Sequence, residues 1–122
     1  PGERRFLVLH RYAEELLGGG NYAAAQEELA RALEWLRKQE GTAAAESLGL
    51  AEELLARSED GMRGERLAEG ARAALERGDY GEALEFVEAA RTVYGRLGDA
   101  RQEPALVAYQ ERAQRGLQAT DR

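Results

Sequence analysis

His10 is the only histidine of the chain and stands beside Arg11 and Glu14. A catalytic imidazole needs a second group to orient it and a nucleophile or substrate to act on, and a metal site needs further ligands at suitable spacing. Neither constellation accompanies His10, so it reads as a surface or groove-lining side chain. Three pairs of neighbouring carboxylates, Glu14-Glu15, Glu27-Glu28 and Glu52-Glu53, have the residue types for acid–base chemistry. On a helix, adjacent residues diverge by about 100° and do not converge on one proton or ion. Gly18, Gly19 and Gly20 lack the spacing and the following Lys-Ser or Lys-Thr of a phosphate-binding loop, and act as a helix stop. With no cysteine there is neither a disulfide nor a thiolate metal site. These residues predict no catalytic group, no metal and no cofactor: a protein that is not an enzyme.

The elements that carry these residues follow from composition and periodicity. The chain has 122 residues, 43% hydrophobic and 33% charged, rich in Ala, Leu, Glu and Arg, with only two prolines. That is the composition of stacked or bundled helices in a single all-α domain. The formal charge is −6, and the arginines (Arg4, Arg5, Arg63, Arg66, Arg112, Arg115) are scattered among acidic residues, which argues against a nucleic-acid partner. No apolar run approaches the roughly 20 residues of a membrane span, so no membrane insertion is expected. A soluble, intracellular (cytoplasmic) protein follows. The start at Pro1 suggests an excised domain or processed chain, whose targeting information would lie elsewhere.

Apolar spacing predicts about six antiparallel helices. The first runs from about Glu3 to Leu17, with Phe6, Leu9, Ala13, Leu16 and Leu17 on one face; the second carries Tyr22, Ala25, Leu29, Ala32, Leu33 and Leu36 and stops near Gly41. Thr42 caps a third with Ala44, Leu48, Ala51 and Leu55, and Ser58-Glu59-Asp60-Gly61 is expected as a flexible link. The fourth, about Met62 to Arg77, ends at Gly78. In the fifth, Asp79 and Glu82 form a capping-box-like pair, and two apolar flanks (Tyr80, Val87, Tyr94; Phe86, Val93, Leu97) predict contact with neighbours on both sides. The sixth carries Leu106, Tyr109, Ala113 and Leu117, with Pro104 in its first turn. Trp35 lies about 100° from the centre of the second helix's stripe and is read as packing on the third helix, with an exposed partner anchor as the alternative. Tyr12 is open in the same way, whereas Tyr22 and Tyr80 read as core.

Residues 20–32, GNYAAAQEELARA, are echoed 58 positions later by GDYGEALEFVEAA at 78–90. In such a hairpin the glycine takes a backbone conformation costly for other residues, Asn or Asp caps the next helix, and Tyr packs its ring back on the first. Ala three positions later permits close approach. Leu9, Ala13, Leu17 and Ala32 match Leu67, Ala71, Leu75 and Ala90 at the same offset, and Gly41 matches Gly98 at 57.

Over residues 67–90, and more weakly 9–32, the chain resembles the tetratricopeptide repeat family, a helix-turn-helix unit of about 34 residues. It departs from the family at the aromatic of the first helix, here Leu9 or Leu67, and at its small Gly, here Ala13 or Ala71. The second Tyr-bearing turn also falls between helices four and five. Either a tetratricopeptide-like α-α superhelix slips its alternation at 58–61, or the chain is two pseudo-repeated three-helix units, about 3–58 and 62–118; the second is preferred.

The resemblance implies a scaffold or adaptor whose first helices line a concave groove for a partner protein or peptide. Its groove positions transfer to Leu7, His10, Glu14 and Leu17, and to Glu65, Ala68, Arg72 and Leu75. His10 and Glu14 stand where the carboxylate-clamping members carry basic and Asn residues, so a C-terminal tail is not the expected ligand. Their acidic surroundings point to a segment with Lys or Arg beside apolar anchors. The alternative is a structural or self-association module, forming a homo-oligomer or docking on another domain of a longer protein.

Overall fold

The stretch Ser58-Glu59-Asp60-Gly61 is helical, not a link. In the computed structural model, which describes residues 2–120, it lies inside one helix, and the expected third and fourth helices are a single element. Five helices follow: α1 (Gly2–Gly18), α2 (Tyr22–Leu36), α3 (Thr42–Arg77), α4 (Tyr80–Leu97) and α5 (Glu103–Thr120), with no strand among the described residues. The residues that looked like a breaker are accommodated locally. Ser58 is buried, and its hydroxyl donates to the Leu55 carbonyl at 2.7 Å, so no competing turn is needed to satisfy it. Ala51, Leu54, Ser58, Gly61 and Gly64 are all buried at spacings of three and four, so a buried stripe, small apart from Leu54, runs through the stretch uninterrupted.

The chain divides into two compact units, Pro1–Asp60 and Gly61–Arg122. The first holds α1, α2 and the first half of α3; the second holds the rest of α3, α4 and α5. The 58-residue echo corresponds to one turn built twice. Gly20 and Gly78 take φ of 77° and 79°, and the residues after them, Asn21 and Asp79, take φ/ψ of −87°/63° and −87°/72°. At the first turn Gly20 N–H donates to Leu17 O and Asn21 N–H to Leu16 O. At the second, Gly78 N–H donates to Leu75 O and Asp79 N–H to Ala74 O. This paired closure of a helix C-terminus requires a left-handed residue at the glycine position.

Two details differ from the expected hairpin. Neither Asn21 nor Asp79 caps the next helix through its side chain. Around the second turn Arg77 competes for both acidic groups, with its Nε 3.1 Å from Asp79 Oδ2 and its Nη2 3.3 Å from Glu82 Oε2, so the capping box does not form. The second stops are also unlike: α4 runs to Gly98 at φ 68°, whereas α2 closes at Leu36 behind a right-handed Arg37, ahead of Gly41.

Within the second unit α4 packs between α3 and α5. A Cβ built at Gly64 would lie 3.0 Å from the Tyr94 ring, and one at Gly70 2.8 Å from the Phe86 ring, so these glycines seat α4 aromatics on α3. On the other side the Tyr80 ring occupies the space beside Gly116 of α5, where a Cβ would come within 2.5 Å. Rising numbers on α4 meet falling numbers on each neighbour, so both pairs are antiparallel. Tyr80, only partly buried, joins Ala74, Leu75, Ala83 and Ala113 in the core together with Leu84, Phe86 and Tyr109. Its ring thus reaches α5 as well as the helix it follows.

Candidate functional site

In the first unit, α1 turns Phe6, Ala13 and Leu17 inward, at 5%, 0% and 7% exposure, because they share one face at helical spacing. The opposite face, about 180° away, carries Val8, Arg11 and Glu15, flanked by Leu7 and Tyr12. Leu7, Val8 and Tyr12 are 64%, 71% and 48% exposed, and together with Arg11 and Glu15 they line a shallow, mostly apolar depression of about 480 Å³. Three large apolar side chains within a turn and a half of one helix form a patch, in contrast to isolated exposed residues that need no explanation.

His10 is partly buried. Its ring centroid is 5.7 Å from that of Phe6, and its Nδ1 is 2.8 Å from Glu14 Oε1. Of the four groove positions expected here, Leu7 and Glu14 are exposed and His10 is half-covered. Leu17 belongs to the core, because position 17 follows Phe6 and Ala13 on the inward face, and it offers nothing to a partner.

The second unit treats its four positions similarly. Leu75, at 3% exposure, is part of the core cluster and is removed from the candidate surface. Ala68 is partly buried. The Arg72 guanidinium is held on its own helix, with Nε 2.9 Å from Glu69 Oε2 and a further ion pair to Glu76. The hydrogen bond to Glu69, then the charges of Glu69 and Glu76, push the Arg72 pKa upward; Glu69 is correspondingly lowered by the hydrogen bond from Arg72. That positive charge is spent locally and does not stand as a lone anion receptor. Desolvation, and then the charge of Asp99, raise the pKa of the Glu65 carboxyl. The neighbouring Tyr94 phenol is pushed up to about 12, by burial first and then by Glu65 and Asp99. Glu65 is therefore an electrostatically uncomfortable acid more than a prepared ligand.

Two other hollows lie elsewhere on the units. Trp35 is partly buried and lines a pocket of about 170 Å³ with Phe6, Leu9 and Ala32, so it faces the α1–α2 side instead of standing out as an anchor. Between α4 and α5 a groove of about 580 Å³ has Leu84 and Val87 among its lining residues, and it is spanned by Arg91, which pairs with Glu103 and donates to Gln110 Oε1 at 3.1 Å. Its one arginine is thus already engaged by groups of the same groove. Among the described residues no three His, Cys, Asp or Glu side chains are grouped so as to hold a metal ion, and no helix is long and apolar enough to cross a membrane.

No family model matches the chain, and neither a curated protein nor a solved structure does. The site therefore rests on geometry alone. The sequence shows the α1 patch only in part: the groove frame points to Leu7, Tyr12 reads either way, and Val8 falls outside both. The available signal was the run Leu7-Val8 followed by Tyr12 on the side of the helix that its own core stripe leaves outward.

Proposed function

We propose that this chain is a non-enzymatic helical scaffold that holds another polypeptide, with the outward face of α1 as its contact surface. The observation that carries this is the exposure of Leu7, Val8 and Tyr12 together on a helix whose opposite face is already satisfied by its own core. Apolar side chains at a patch centre supply affinity once water is excluded, and charges at the rim set orientation and encounter rate. Arg11 and Glu15 provide such a rim. A ligand segment with Lys or Arg beside apolar anchors suits the exposed Glu14 and Glu15 and a chain already at −6.

The test is the substitution of Leu7 and Val8 together by Glu, followed by the elution position of the tagged chain in extracts of cells that produce it. Both sites are exposed, so helicity and thermal midpoint should match the parent. The parent should elute as a larger species and the variant as a free chain. Elution of both at the same position would remove the α1 face from the contact.

A further inference from the structure

Between α1 and α2 the first unit leaves a hollow of about 170 Å³. Phe6 and Leu9, three residues apart on α1, line it from one side, and Ala32 and Trp35, at the same spacing on α2, from the other. Phe6 and Ala32 are almost fully buried, and the Phe6 ring rests against His10, with ring centroids 5.7 Å apart. The walls are therefore packed side chains. Among the described residues no buried side-chain nitrogen or oxygen lacks a partner, so no stranded polar group in the hollow would hold a water.

The second unit fills the corresponding place with a ring of its own. At the offset of 58 residues, Leu9, Glu28 and Ala32 correspond to Leu67, Phe86 and Ala90. The Phe86 ring is seated on α3 at Gly70, where a Cβ would come within 2.8 Å of it. At the matching position α2 carries Glu28, whose Oε1 lies 3.6 Å from Arg31 Nη1 at the mouth of the hollow.

We propose that this hollow is a binding site for a small uncharged aromatic molecule of one ring. Its volume is that of an apolar cavity of about 150 Å³, which takes up benzene. Phe6 and Trp35 offer a ring the edge-to-face or offset contacts that aromatic pairs favour. Glu28 and Arg31 carry opposite charges at the mouth, so a charged ring would gain at one and lose at the other. The α2 surface beside the mouth, with Glu27, Arg31 and Glu34 exposed, gives a polypeptide no apolar ground to lie on, which favours a free small molecule. The site uses the inward side of α1 and is independent of the outward Leu7, Val8 and Tyr12 face.

Toluene is the probe, titrated into the 122-residue chain and followed by NMR. Trp35 is the only tryptophan, so its indole N–H signal reports on the hollow without ambiguity. The signal should shift saturably, with half-saturation in the millimolar range, and nuclear Overhauser contacts should join toluene to the Trp35 and Phe6 rings. Benzoate and benzylammonium, which add a charge to the same ring, should bind more weakly. Glu28→Phe supplies the ring from within the chain, as the second unit does, and should weaken toluene binding about tenfold or more while raising the thermal midpoint. Ala32→Leu fills the hollow from its α2 wall and should weaken toluene binding likewise, so that the test stands if one of the two variants fails to fold, as circular dichroism would show. A Trp35 signal that does not saturate, the absence of contacts to Phe6, or a folded filling variant that binds toluene like the parent would overturn the site. Tighter binding of either charged ring would overturn the uncharged class.

Discussion

Gly49 and Gly116 are both helical glycines, and alanine should act in opposite directions at the two. Nothing lies within 4 Å of a Cβ at Gly49, so Gly49→Ala should stabilise by about 0.5–1 kcal/mol through reduced chain entropy and better helix propensity. At Gly116 the added methyl would press on the Tyr80 ring, and Gly116→Ala should cost about 1 kcal/mol or more even after that propensity gain. Chemical denaturation of the pair checks this, and a stabilising Gly116→Ala would mean that the ring is not seated there. Glu65 supplies a pH test at the same scale. Because its pKa is raised in the fold, its contribution to stability is fully present below the unfolded value of about 4.3 and is lost as pH rises through the folded value. Glu65→Gln should therefore be more stable than the parent at pH 7, and the two should converge near pH 4. An advantage that persisted unchanged at low pH would contradict the assignment. Neither effect was legible in the sequence. A glycine in a helical pattern only weakens the pattern, and the ring that fills its space comes from another helix.

At the scale of elements, the two Tyr-bearing turns were legible because a glycine followed by Asn or Asp reports a backbone requirement fixed within a few residues. The structure gives them nearly equal dihedrals. The error at 58–61 came from the same reasoning applied where it does not hold. Ser, Asp and Gly there resemble a breaker, yet Gly61 keeps a right-handed φ and Ser58 bonds back within its own helix. Burial outweighs propensity: Ala51, Leu54, Ser58, Gly61 and Gly64, four of them small, face inward in one line. Glu59 is exposed inside α3, so Glu59→Pro should cost about 3 kcal/mol or more by removing a helical hydrogen bond and clashing with the preceding turn. A link would tolerate it. Thermal unfolding of this variant beside Glu59→Ala decides between the two, and a proline as stable as the alanine would break the continuous helix.

For the whole molecule, the all-α class followed from composition, while the binding surface followed only in part. A resemblance transfers positions from a hairpin frame, and that frame placed Leu17 and Leu75 in a groove although helical spacing turns both inward. The same frame does not include Val8, whose outward neighbours at three and seven residues, Arg11 and Glu15, are charged and so leave no continuous apolar period. The account's central claim is that this outward face of α1 touches another polypeptide. Site-specific photo-crosslinking measures that directly, with a photoreactive side chain at position 8 and, as a control, at the exposed Glu46 of α3 in cells that produce the chain. The account predicts a discrete adduct of higher mass from position 8, abolished by Leu7→Glu, and none from position 46. Equal labelling at both positions, or no adduct at position 8, would contradict it.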